Sequence, residues 1–231
     1  MNSARRIAVI TGVVFIVATV ASLVAAALTP ALTGTDVLIR FSAHANQVAA
    51  GAFFYLIAAF ASAGIAVSLY RVLRKTNAGL AIGSVVFRAL EAAMYMAGVV
   101  SLLSLLTLGQ QFTTAGAADR ASLQAIGDSL VSVHDHAALA GVFAFCLGAF
   151  MYYYLFFQSR LIPRWLSGFG IAAIILMMAA CVLSLFSGNP ITGYIPLALP
   201  IAVQEMVLAV WLIAKGFNPS AIASEPARPG N

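Results

Sequence analysis

The sequence predicts an all-α membrane protein: a bundle of six transmembrane helices with both termini in the cytoplasm. Three observations carry that reading. Of 231 residues, 62% are hydrophobic and only 8% are charged, whereas a soluble domain carries about 25% charged residues. Mean hydropathy is +1.00, which leaves almost no soluble mass. Six apolar runs are each long enough to cross a hydrocarbon core of about 30 Å. Nine of the twelve Lys and Arg residues then fall on one side of the topology, which is the positive-inside pattern. The net charge of +5 therefore reports orientation and does not point to nucleic acid.

The first span covers 7–28, after Arg5 and Arg6. Its basic flank and the Ala25-Ala26-Ala27 stretch also fit a signal peptide, but its apolar core exceeds the usual 7–15 residues, so an uncleaved helix is expected. Pro30 ends it, and a short outer loop carries Asp36 and Arg40. The second span, 45–70, stops at Arg71, Arg74 and Lys75. The third, 79–108, is long enough to tilt or to extend beyond the membrane. From Gly109 to Ser132 the chain is at its most polar, and its Ala-rich middle suggests a short surface helix. Spans four to six follow at 134–157, 165–186 and 196–214, with Ser187-Gly188-Asn189-Pro190 as a turn and Lys215 closing the last span. One transmembrane domain thus occupies 1–217. The Pro-, Ala- and Ser-rich tail, 218–231, reads as disordered.

A shift of ninety residues superposes the second span on the fourth, over 44–74 and 134–164. His44, Gly51, Phe53, Phe60 and Arg74 match His134, Gly141, Phe143, Phe150 and Arg164. The match is either a parallel internal repeat or coincidence between two Ala/Phe-rich helices.

Several stretches carry a family resemblance. Val86-Phe87-Arg88-Ala89-Leu90-Glu91 is one, and Gln158-Ser159-Arg160-Leu161-Ile162-Pro163-Arg164-Trp165-Leu166 is a second. The third is Glu205-Met206-Val207-Leu208-Ala209-Val210-Trp211-Leu212 with Lys215-Gly216-Phe217. Together they resemble the DUF4386 family of bacterial integral membrane proteins, over nearly the whole chain except the tail. The resemblance implies a six-helix bundle in the bacterial cytoplasmic membrane and supplies no activity, so a site has to be argued from the residues.

The leading candidate is Arg88, Glu91 and Glu205, with Gln204 beside it. Ionisable groups in a membrane span are costly and face the interior or a cavity, where they find partners. Arg88 and Glu91, at i,i+3, share a helix face. Arg88 lies nine residues past Gly79 and Glu205 ten before Lys215, so both sit about 14–15 Å from the basic end. An Arg88–Glu205 salt bridge between spans three and six is therefore geometrically possible. One arginine against two carboxylates leaves a negative charge to be balanced by a proton or a cation. The cluster is thus either a ligand or proton site or an ion pair that only orients two helices.

A second candidate lies at the outer edge: His44, His134, Asp135 and His136. His44 and His134 fall at nearly equal depth, and with Asp135 they could hold a metal such as Zn²⁺, or act as paired axial ligands of a haem. His134 and His136, at i,i+2, could ligate together only if the helix begins after them. The plainer alternative is interfacial histidines bonded to loops. Tyr152-Tyr153-Tyr154, Phe156, Phe157 and Trp165 read as an interfacial aromatic belt, or else as a lipid or quinone groove. Cys146 and Cys181 read as buried small hydrophobes. No P-loop, G-x-G-x-x-G, G-x-S-x-G or H-E-x-x-H motif is present.

Three function classes follow. The first binds or transports a small amphiphilic or ionic ligand at the Arg/Glu cluster, with membrane lipid as the surrounding partner and no nucleic acid. The second is a membrane enzyme or redox protein using metal or haem at the outer histidines. The third is a structural membrane subunit. A polar cavity reaching Arg88 favours the first, a bound cofactor the second, and a sealed cluster the third.

Overall fold

The computed structural model describes residues 3–223. It is all-helical there, with six helices long and apolar enough to cross a membrane. Helix α1 spans Ser3–Leu28, α2 Val37–Ala43, α3 Ala45–Leu73, α4 Ala78–Thr114, α5 Ala117–Ser159, α6 Arg164–Ser187, α7 Ile195–Ala214 and α8 Pro219–Ala223. A 3-10 turn, Ile191–Tyr194, precedes α7. Each long helix packs on its neighbour in the chain, and α1 also packs on α7, so the six close into a ring around a common interior.

Both ends of the ring lie on one side. Arg5 near the start of α1 donates to the carbonyls of Leu212 (3.2 Å), Ile213 (2.6 Å) and Ala214 (3.4 Å). It thereby satisfies acceptors that the last turn of α7 cannot satisfy itself, and its charge suits the negative end of that helix. At Gly12, an added Cβ would come within 2.7 Å of the Ala209 carbonyl and of Ile213, so α1 and α7 touch backbone to backbone there.

The polar stretch 109–132 is not a loop with a surface helix. Helix α4 runs on to Thr114, α5 begins at Ala117, and only Ala115 and Gly116 interrupt them. At 37 and 43 residues, these helices are about 55 and 65 Å long, roughly twice the core of a bilayer. Their projecting ends pack on each other, and α2 packs against them. Gly109 lies against the Leu38 carbonyl, and Gly127 leaves room for the Leu38 side chain. Val37, Leu38 and Phe41 join Leu102, Leu105 and Leu108 in a small separate core. Helix α2 occupies what reads from sequence as the outer loop. Its Asp36 and Arg40 form an i,i+4 ion pair.

Short hydroxyl side chains tie the long helices together, as expected in an apolar medium. Thr11 Oγ1 and Ser68 Oγ are 2.7 Å apart across α1 and α3. Ser101 donates to the Leu130 carbonyl across α4 and α5 at 2.6 Å. The tail, read as disordered from 218, opens with the α8 turn. Asn218 N–H donates to the Leu161 carbonyl at 2.8 Å, and Phe217 is buried near Phe156. The rest of the tail, 224–231, lies outside the described residues.

Candidate functional site

Arg88 and Glu91 project from one face of α4 into the ring, and both side chains are 3% exposed. Their Nη1 and Oε2 atoms lie 3.0 Å apart. The approach lacks hydrogen-bond alignment, so both atoms remain without a bonded partner, as does the buried Ser62 Oγ. The arginine is held on two other sides. Its Nε donates to the Ser62 carbonyl of α3 at 3.3 Å, and its guanidinium lies 4.8 Å from the centre of the Phe145 ring of α5. Gly148 allows this approach, since a Cβ there would sit 3.1 Å from Arg88 Cγ.

Glu205 reaches the same space from α7. Arg88, Glu91 and Glu205 line one cavity of about 320 Å³, together with Ser62 and Tyr95. The Arg88–Glu205 salt bridge that equal depth allows does not form: among the described residues no cation lies within 4.0 Å of the Glu205 carboxylate. Arg88 pairs in charge with the Glu91 carboxylate one turn away on its own helix, and the cavity lies between it and α7. Glu205 instead accepts a long bond of 3.4 Å from the Tyr152 hydroxyl.

Gln204 points elsewhere. It is fully buried and absent from the cavity wall. Its Oε1 accepts from the Tyr153 hydroxyl, and its Nε2 donates to the Leu166 carbonyl at 3.1 Å. It therefore ties α5, α6 and α7 together. Tyr152 and Tyr153 are likewise fully buried, as is Phe156, whereas Tyr154, Phe157 and Trp165 are exposed. Only the latter three remain for an interfacial belt. The role of the two buried tyrosines was missed because three consecutive tyrosines read as interface, while a helix turns successive residues by about 100° and sends two of them inward.

The wall of the cavity shows where it opens. Leu23 on α1 and Ala202 on α7 line it and are exposed. The two helices touch at Gly12 and Ala209, near the basic end, and part beyond them. The mouth thus lies between α1 and α7, on the lateral face of the ring and in the half away from the basic end. Pro200 lies inside α7 on this stretch. It gives no N–H to the preceding turn.

His134 and His136 lie on different faces of α5. Because α5 begins at Ala117, His134 and His136 are mid-helix, about 200° apart around the axis, which fails the condition for joint ligation. His134 Nδ1 lies 3.1 Å from the Gly98 carbonyl in the α4–α5 seam. His136 Nδ1 lies 2.7 Å from the Ser132 carbonyl, and His44 Nδ1 2.9 Å from the Arg40 carbonyl. Asp135 is half-buried beside them. Among the described residues no group of three His, Cys, Asp or Glu side chains is placed to hold a metal ion. The glycines matched between the second and fourth spans serve helix packing: Gly51 abuts Thr29 and Ala25, and Gly141 abuts Met94 and Tyr95.

The family model described as a domain of unknown function, DUF4386, matches residues 10–216, and the chain belongs to that family. No curated protein and no solved structure matches it.

Proposed function

We propose that this DUF4386 protein binds, as the first step of carrying it, a small amphiphile with a cationic head group, taken up through the opening between α1 and α7. The observation that supports this most is the coincidence of a cavity with a carboxylate, Glu205, that has no close cation. In one cavity wall the buried Ser62 hydroxyl has no bonded partner, and Glu205 has only the long bond from Tyr152, while Arg88 and Glu91 face each other at 3.0 Å. Buried polar groups are otherwise almost always bonded. A wall with one cation and two carboxylates has a surplus of negative charge. Glu91 is neutralised by Arg88, so Glu205 is the group that a ligand cation or a proton balances. Val142, Phe145, Met177 and Ile201 supply apolar wall for the remainder of the molecule, and the volume suits a small ligand.

Orientation follows from the charges. We place the basic end toward the cytoplasm of the bacterial membrane, so the opening faces the outer half of the bilayer. An amphiphile enters it from lipid without first crossing water.

The test compares a short-chain alkyltrimethylammonium with the alkyl sulfonate of equal length, read as a shift in melting temperature of the purified protein. The cation raises it and the sulfonate does not. Glu205→Gln abolishes the effect, and Leu23→Trp, which narrows the opening, weakens it. An equal shift from the two amphiphiles, or a cation effect that survives Glu205→Gln, refutes the reading.

A further inference from the structure

A second cavity, of about 780 Å³, lies at the basic end between α1, α3, α5 and α8. Its chemistry is the reverse of the first. Arg71, Arg74 and Lys75 line it, and among its described lining residues none is acidic. Cations at the C-terminal end of α3 suit the helix dipole, and their side follows the positive-inside pattern. Those two effects account for the sign of the charge and leave the concavity unexplained.

The cavity is also amphiphilic in the direction of the membrane normal. Ser159 adds a hydroxyl, and the first turn of α1 forms one wall through Ser3 and Ala4, where N–H groups have no partner within the helix. Ile7 and Tyr70 continue the wall toward the spans. The Arg74 guanidinium stands 5.8 Å from the Tyr70 ring centre, which holds it over the boundary between polar and apolar lining. We infer that this cavity binds the phosphodiester head group of an acidic phospholipid, with Arg71 and Arg74 on the phosphate and the glycerol and upper acyl chain along Ile7 and Tyr70. A free phosphate-bearing solute shares the charge but has no use for the apolar wall, which is why the lipid is favoured. The site is separate from the Arg88 cavity in position and in sign.

Native mass spectrometry on the full chain, delipidated in a mild detergent and offered equimolar phosphatidylglycerol and phosphatidylethanolamine, tests it. The phosphatidylglycerol adduct dominates in the wild type. The double substitution Arg71→Gln/Arg74→Gln lowers it about thirtyfold, as expected for removing two interfacial cations, while Arg40→Gln at the opposite end leaves it unchanged. Three results overturn the assignment. One is equal retention of the two lipids by the wild type. Another is a loss in Arg40→Gln as large as in the double variant, which would make the effect one of bulk charge. The third is displacement of phosphatidylglycerol by millimolar inorganic phosphate that itself stays bound, which would hand the site to a soluble anion.

Discussion

The chain holds its charges in two very different ways. At the basic end, Arg71 and Arg74 are exposed and line a cavity with no acidic residue among its described walls. In the ring interior, Arg88 is buried and depends on Glu91, the Ser62 carbonyl and the Phe145 ring. The difference is one of solvation. In water a unit charge is stabilised by its surroundings, and a neighbouring ion adds little. In the interior a charge is tolerated only when paired, and breaking the pair costs far more than the pair contributes. An arginine at the basic end should therefore matter for what it binds, and the arginine in the ring should matter for folding as well.

The sharpest way to break this contrast is Arg88→Leu. It leaves Glu91 and Glu205 in the interior without a cation, and the loss should be about 3–5 kcal/mol, read by unfolding in mixed micelles. Glu205→Gln removes a carboxylate that has no close cation and keeps an acceptor for Tyr152, so it should cost much less. Equal stability of Arg88→Leu, Glu205→Gln and the wild type would mean that the interior is as well solvated as the basic end, and the contrast would collapse.

A middle-sized effect separates architecture from ligand within the interior itself. Gln204→Leu removes the acceptor of the buried Tyr153 hydroxyl, and an orphaned buried group costs about 1–3 kcal/mol. Because Gln204 lies off the cavity wall, the folded fraction should still respond to the cationic amphiphile as the wild type does. Loss of that response at unchanged stability would move Gln204 from the frame into the site.

How much of this was legible in sequence depends on the range of the interaction. The six spans, the common side of both ends and the depth of Arg88 and Glu205 follow from hydropathy, helical rise and basic clusters, all of which are local or additive along the chain. The i,i+3 pairing of Arg88 with Glu91 is equally local. What was not legible depends on which helix faces which. Equal depth makes an Arg88–Glu205 bridge possible, but depth does not fix rotation about the axis, and the cavity lies between them. The clamp of Tyr153 on Gln204 is likewise a matter of rotation. Helix α2 was missed because its seven residues are too few to show periodicity, and it is held by Gly109 and Gly127, whose small size matters only once α4 and α5 are side by side. The outer histidines looked like a site because an interruption was assumed before His134, and the helix has none there.

The smallest expected effect bears on the other half of the contrast. Arg71→Gln/Arg74→Gln removes two exposed cations from the end of α3. Surface substitutions of this kind usually move stability by no more than about 0.5 kcal/mol, so the melting temperature in detergent should hardly change. In the same variant the acidic-lipid adduct should be largely lost. Stability and binding thus separate at the basic end, whereas at Arg88 they are tied together because one side chain both pairs with Glu91 and lines the cavity. If the double variant instead unfolds as readily as Arg88→Leu in detergent free of acidic lipid, the basic cavity is part of the packed frame, and the two regions differ in depth alone.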